Sequence, residues 1–573
     1  MFGFILYFLL LFLPGFTLTQ VLGVKTSSSL EKFTISASLG ISSNIILLSL
    51  MQLVFRGLNR YHIYSIILIS IVTLVILQSS PREKLELVFD LNDKMALFLY
   101  LGHIAFLSLH FLKFPIFPNS SSGDFIIHLK YSQQLIWGEK SIVNLGYYPG
   151  VEVLIGSGLL LIQGEKLVVM RQVMSLLVGF LTLIIYNTGF EVFNSKRKAL
   201  LASLLYSFSP AFWYDSLYIS GLYANILTNI IALSSIYFIV KSTEDKIPIY
   251  YFLVFLSGAS LILSHSTSII FLILIWSFVA IIRIKNKRII KQYIRSIAVF
   301  SLPVLGVFFY PDFLSRLKNI LSGQYVKIEA RNPIFEFFEP ISPFFAYISG
   351  YMGIVLTILA VTGIVILLLR LHEKGKFWSI LFPSWFLLNW VLSIQGRQVW
   401  RFALLAKIPS IFLIGYLLDE FIISLKEIIG ANNYSSKIKG LNFLGLSTVL
   451  ISTILISGGL LNYTLSNLAF EENFQRQNSI YNSMQWISEN TENYSKILVI
   501  SEWEYIYLPQ ISQRETYYIS ISSNYNVSQI TENARGNLNY LILSKDLIHS
   551  FRNPIYFDEE WSNSIITIFS VLS

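Results

Sequence analysis

In the run Gly123-Asp124-Phe125-Ile126-Ile127-His128 a carboxylate and an imidazole stand four residues apart, so a helix would place them on one face. Such a pair at a dry–wet boundary can act as a base or as a metal ligand. The same spacing also fits an N-capping aspartate followed by a surface histidine on an amphipathic helix. Asp215, closing Pro210-Ala211-Phe212-Trp213-Tyr214-Asp215, is either a turn residue that meets water or a second wall of an outward-facing site. His265, in Leu263-Ser264-His265-Ser266, falls in another turn between apolar runs, where a solvated or hydrogen-bonded turn residue is the plain alternative. Arg397 and Arg401, in Gln395-Gly396-Arg397-Gln398-Val399-Trp400-Arg401, share a helical face, and guanidinium forks match phosphate oxygens. Arginines that snorkel to lipid headgroups show the same pattern. Lys407 lies deeper in that apolar run, where a charge is costly, and Arg171 stands near the end of another. Acids and cations gathered on one membrane face describe a site for an anionic lipid headgroup with acid–base chemistry beside it.

The elements that must hold these groups follow from composition. Of 573 residues, 54% are hydrophobic, 15% aromatic and 13% charged, with mean hydropathy +0.62. A soluble chain carries about a quarter charged residues, so this is an α-helical polytopic membrane protein. The net charge of +9 is taken up by loop orientation, and no nucleic-acid partner is implied. With no cysteine, disulfides, thiol nucleophiles and cysteine-held metals are excluded. No P-loop, dinucleotide fingerprint, HExxH pair or GxSxG elbow appears, which leaves a fused ATPase or a simple hydrolase without support.

Apolar runs at 2–19, 33–55, 63–78, 95–114, 167–190, 199–214, 217–240, 249–263, 267–282, 296–310, 344–369, 377–394, 402–423 and 441–461 predict about fourteen crossings. The most basic loop, Arg283 to Arg295, is predicted to be cytoplasmic, and counting outward from it puts four further basic loops on the same side. The loop 115–166 is then external, and its apolar stretch 151–163, about 13 residues long, is expected to be re-entrant or interfacial. Three parts follow: helices in 1–94, a transmembrane core in 95–462, and a small external α/β domain in 463–573. In the last part a helix is expected around 480–488 and strands at 496–501, 516–520, 539–544 and 564–569.

The core resembles the large membrane glycosyltransferases of the GT-C fold. The residues that carry the likeness are Asp124 and His128, the helix ending at Trp137-Gly138, Gly146-Tyr147-Tyr148-Pro149-Gly150, and the Arg171-led helix through Gly179. Ser209-Pro210 before Asp215, Arg401-Phe402 and Ile408-Pro409 fit as well, as do Trp486 to Thr491 and Ile500 to Tyr505 in the tail. The resemblance implies a polyprenyl-phosphate-linked (dolichyl-phosphate-linked) sugar donor and a lipid, glycan or protein acceptor at the outer face of the membrane. By it, Asp124, Asp215 and His128 are the catalytic set, Arg397, Arg401, Lys407 and Arg171 the phosphate contacts, and Tyr147, Tyr148 and His265 further substrate contacts. The metal is left open. Magnesium or manganese would be the cation, with Glu329, Glu336 or Glu339 available to complete a site. The alternative classes are a transporter or flippase of lipid-linked sugars, which needs polar residues across the midplane, and a non-enzymatic scaffold.

Overall fold

The computed structural model describes residues 2–78, 88–113, 124–139, 148–213, 216–217, 221–244, 248–265, 287–304, 343–370, 380–393 and 399–431. Towards the C-terminus it describes 482, 486–487, 489–492, 495–501, 515–520, 539–544, 557–562 and 566–571. The expected crossings at 267–282 and 441–461 lie outside these residues. The chain forms two compact units, one of residues 1–109, 131–217 and 222–463, the other of 110–130, 218–221 and 464–573.

The first unit is helical. Its helices are α1 (Phe2–Val21), α2 (Ser29–Phe55), α3 (Arg60–Gln78), most of α4 (Leu91–Lys113), the later part of α5 (Asp124–Trp137), α6 (Gly150–Leu161), α7 (Lys166–Phe193) and α8 (Lys196–Phe208). They continue as α9 (Tyr223–Glu244), α10 (Pro248–Ser264), α11 (Lys287–Val304), α12 (Pro343–Met352), α13 (Ile354–Arg370), α14 (Leu381–Ser393) and α15 (Val399–Ala431). Among the described residues six helices are long and apolar enough to cross a membrane: α1, α2, and the apolar stretches of α3, α7, α9 and α15. Shorter apolar helices, α6, α13 and α14 among them, rise about 1.5 Å per residue and fall short of a hydrocarbon core of about 30 Å.

Two expected spans come out differently for local reasons. The run at 199–214 ends as a helix at Phe208, because Pro210 lacks an N–H and disfavours helical backbone at Ser209; a short 3-10 turn, Pro210–Phe212, follows. The run at 344–369 is two helices, interrupted at Gly353.

The helices preceding residue 95 are packed into this unit, with α2 lying against α6, α7, α9 and α10. The buried side of α2 is polar: Glu31, Thr34, Ser38, Ser42, Asn44 and Gln52 are all enclosed. In a bilayer such groups act as glue between helices when each finds a partner. Asn44 donates to the Leu10 carbonyl at 2.5 Å, Thr34 donates to the Leu30 carbonyl, and the Thr19 and Ser36 hydroxyls meet at 3.3 Å. Close approach of α1 to α2 depends on Gly15 and Gly40: a Cβ on Gly40 would stand 1.9 Å from the Leu11 carbonyl oxygen. Gly40→Leu is therefore expected to separate the two helices, at a cost of at least about 1–3 kcal/mol. Thermal melting of the detergent-purified variant checks this, and a wild-type melting curve would refute it.

Lys196, Arg197 and Lys198, at the start of α8, bind two other helices. Lys196 Nζ lies 2.6 Å from Asp90 and 3.0 Å from Asp93, Arg197 pairs with Asp419, and Lys198 lies 2.7 Å from Glu420. Burial pushes the Asp90 carboxyl up, but the hydrogen bond and charge of Lys196 outweigh it and hold the group below its ordinary range. The contribution of this pair is thus present above the ordinary carboxylate range and is lost as the pH falls through the depressed value.

The second unit contains a five-stranded sheet, β1 (Lys496–Ser501), β2 (Glu515–Ser520), β3 (Tyr540–Ser544), β4 (Phe557–Ser562) and β5 (Ile566–Val571), in the order β2-β1-β3-β5-β4. β1 pairs parallel with β2 and β3, and β5 pairs antiparallel with β3 and β4. Asn539 fixes the β1–β3 start from both sides, its Oδ1 accepting from Lys496 N and its N donating to the Lys496 carbonyl. The four expected strands are present. β4, which reads Phe-Asp-Glu-Glu-Trp-Ser, was hidden by its charges, and it is an edge strand, where charge is tolerated.

Candidate functional site

Asp124 is the first residue of α5, where the N-terminal helix dipole favours an ionised carboxylate. Its backbone is described and its side chain is not. His128, one turn on, is 2% exposed, which corrects the surface-histidine reading of that spacing. Between them Phe125 is buried against Gly221. Gly221 has φ +61°, and a Cβ there would lie 2.8 Å from Phe125 Cβ and 2.9 Å from Phe125 N. No L side chain fits that place, so the glycine is required by both conformation and contact.

Asp215 lies outside the described residues, but the backbone on either side of it is held. Trp213 N donates to the Pro210 carbonyl at 3.1 Å, Leu217 N to the Trp213 carbonyl at 2.9 Å, and Leu222 N to the Ser216 carbonyl at 2.8 Å.

Arg171 stands in the second turn of α7 and is 1% exposed. Tyr223, the first residue of α9, is buried as well. Lys407, in the third turn of α15, is also 1% exposed. Neither cation snorkels out to a headgroup; both are enclosed by protein. α15 packs on α8, α12, α13 and α14, and α7 on α2, α6, α8 and α9, so the helices that carry Lys407 and Arg171 share α8 as a neighbour. Arg397 and Tyr147 lie outside the described residues, as does the side chain of Arg401 in α15. Tyr148 is buried and packs on His265, ring centroids 6.1 Å apart at 46°.

Further buried polar atoms on these elements end without a hydrogen-bond partner among the described residues. They are Ser175 Oγ, one turn beyond Arg171, Ser209 Oγ before the Pro210 turn, and Asn225 Oδ1 and Asn229 Oδ1 on α9. Serine and asparagine inside apolar runs were the available signal in the sequence. A very small pocket lies elsewhere, among α2, α7 and α9, and none of the expected site residues lines it. Among the described residues no three His, Asp or Glu side chains are grouped to hold a metal ion. Asp215, Glu329, Glu336 and Glu339 fall outside them.

No protein-family model matches the chain, and no curated protein matches it in sequence. Among solved structures it is similar to the archaeal oligosaccharyltransferase AglB from Archaeoglobus fulgidus in complex with an inhibitory peptide and a dolichol-phosphate. There the identity is 14%, the TM-score 0.48, and the match covers 78% of this chain and 70% of that one. It is also similar to the Archaeoglobus fulgidus oligosaccharyltransferase in the apo form, at 13% identity and TM-score 0.49 over 78% and 70% of the two chains. The same organism's enzyme tethered to an acceptor peptide containing the NVT sequon gives 13% identity and TM-score 0.45 over 78% and 69%.

Proposed function

We propose that this chain is an integral membrane glycosyltransferase that moves a sugar from a polyprenyl-phosphate-linked donor to an acceptor at the outer membrane face. Cleavage of the bond between sugar and phosphate leaves charge on phosphate oxygens, and preorganised cations stabilise it best where water is excluded. Arg171 and Lys407, both enclosed in protein, meet that requirement, with Arg397 and Arg401 added at the head of α15. Asp124 takes the proton of the acceptor as its oxygen or nitrogen attacks the anomeric carbon. Asp215 is the second acid, His128 supports Asp124 from one turn away, and Tyr147, Tyr148 and His265 contact the sugar. A divalent cation would add charge stabilisation at the phosphate; no step here is routed through one.

The observation that supports this reading is the tight approach of Gly221 to Phe125, the residue next to Asp124 at the start of α5. Gly221→Ala is expected to push these segments apart and lower turnover on the order of 10–100-fold, as for a displacement of about 1 Å at a reacting group. Turnover equal to wild type would show that the placement of Asp124 does not depend on this contact.

The direct test is release and transfer of sugar from a polyprenyl-phosphate sugar pool by purified protein in lipid vesicles, with and without chelator. Transfer supports the reading, and its loss in chelator adds a required metal. If no sugar is released but labelled lipid crosses the bilayer, the protein is a transporter; if lipid is bound without either event, it is a scaffold.

A further inference from the structure

The pocket among α2, α7 and α9 has polar walls in an otherwise apolar bundle. Thr34 and Ser38 face it from α2, Asn187 and Thr188 from α7, and Ser234 and Tyr237 from α9. All six are buried. Four of the hydroxyls have already spent their hydrogen on the protein. Thr34 donates to the Leu30 carbonyl at 2.9 Å, Ser234 to the Ile230 carbonyl at 2.8 Å, Thr188 across to the Leu233 carbonyl at 3.2 Å, and Tyr237 to the Glu31 carboxylate. Carbonyls and carboxylates only accept, so these hydroxyls have nothing but lone pairs left to offer the pocket.

Asn187 is 6% exposed, and its Nδ2 has no hydrogen-bond partner among the described residues. Its amide can therefore turn its oxygen to the pocket without breaking a bond made by that nitrogen. An oxygen-lined space of this kind, with room for about one water-sized particle, suits a small hard cation.

The charge next to the pocket selects a cation over a neutral guest. Glu31 stands one turn from Thr34, Glu191 one turn from Asn187 and Thr188, and Lys241 one turn from Tyr237. Lys241 Nζ lies 2.8 Å from Glu191 and 3.4 Å from Glu31, so this group sets two carboxylates against one ammonium. In a low-dielectric interior that imbalance reaches a neighbouring site. No carboxylate lines the pocket itself, which suits a monovalent ion better than a divalent one, and the small space favours sodium over potassium.

We propose that this pocket binds a single sodium ion, held by the oxygens of Thr34, Ser38, Thr188 and Ser234 and by the Asn187 amide, and drawn there by Glu31 and Glu191. The ion would bridge three helices and hold α2 to α7 and α9. The proposal is independent of the glycosyltransferase reading.

Binding of radioactive sodium to the detergent-purified protein tests it, with choline chloride keeping the ionic strength constant. Wild type is expected to saturate at about one ion per chain, and potassium to compete weakly. Asn187→Leu and Ser38→Ala, which remove oxygens from the wall, should each weaken binding by about tenfold or more. Glu191→Gln should weaken it by a similar factor although Glu191 is no part of the wall, because it removes a charge one turn away. Thr17→Val, a buried hydroxyl change outside the pocket, should leave binding unchanged. Absence of saturable sodium binding would overturn the proposal, as would binding that survives Asn187→Leu and Ser38→Ala, or potassium competing as well as sodium. Should Asn187→Leu or Glu191→Gln fail to fold, the smaller Ser38→Ala change decides. A second reading uses stability: replacing choline with sodium should raise the melting temperature of wild type and not that of Ser38→Ala. An equal rise in both would place the ion elsewhere and overturn the proposal.

Discussion

Asp124→Asn should abolish sugar transfer by the purified protein in lipid, lowering turnover by about 10²–10⁴-fold with little change in donor binding. The substitution keeps the shape and the first-turn position on α5 but removes the group that accepts the acceptor's proton. Phe125 and its contact with Gly221 are untouched, so the fold around the site should persist. The two kinetic constants separate the roles. A base that acts in the transition state lowers kcat and kcat/KM together, whereas a residue that only binds donor raises KM. On the proposed reading the enclosed cations Arg171 and Lys407 hold the phosphate before the bond breaks as well as after, so their loss is expected to raise KM as well as to lower kcat. Transfer by Asp124→Asn at the wild-type rate would remove Asp124 from the chemistry and leave Asp215 as the sole candidate acid.

Membrane class, helix positions and four of the five strands were legible because they depend on local pattern. Runs of apolar residues end where Pro210 or a charged turn ends them, and short apolar runs bounded by polar residues mark β1 and β3. Candidate site residues were legible as types in place: a charge such as Lys407 inside an apolar helix has few innocent explanations. What could not be read was pairing across the bundle. Asn187 shows no motif and becomes informative only where Thr34 and Ser234, from two other helices, line the same pocket. The polar side of α2 was missed because hydropathy averages over a window, and serine and threonine that donate to their own helix barely lower it. The seam between the first helices and the core is a long-range property.

Lys241→Met tests that seam and should be the most destabilising single change among the buried ion pairs. Lys241, near the end of α9, lies 2.8 Å from Glu191 on α7 and 3.4 Å from Glu31 on α2. Both carboxylates are nearly enclosed, at 7% and 4% side-chain exposure, and Lys241 itself at 15%. Tyr237 donates its hydroxyl to Glu31, and Ser27 Oγ donates to the same carboxylate at 2.7 Å. One ammonium therefore ties the helix preceding the core to two helices within it. Removing it leaves two anions facing each other in a low-dielectric setting, and breaking such a buried arrangement by deleting one partner costs about 3–5 kcal/mol. The triple change Lys241→Met, Glu31→Gln and Glu191→Gln should recover most of that loss, because removing a whole buried charge set is often close to neutral. Chemical unfolding of the detergent-purified variants distinguishes the cases. Loss in the single variant with recovery in the triple shows that α2 is held to the core by charge. Equal losses in both would assign the cost to packing around Tyr237, and an unaffected single variant would show that the seam is held by its hydroxyls and apolar contacts alone.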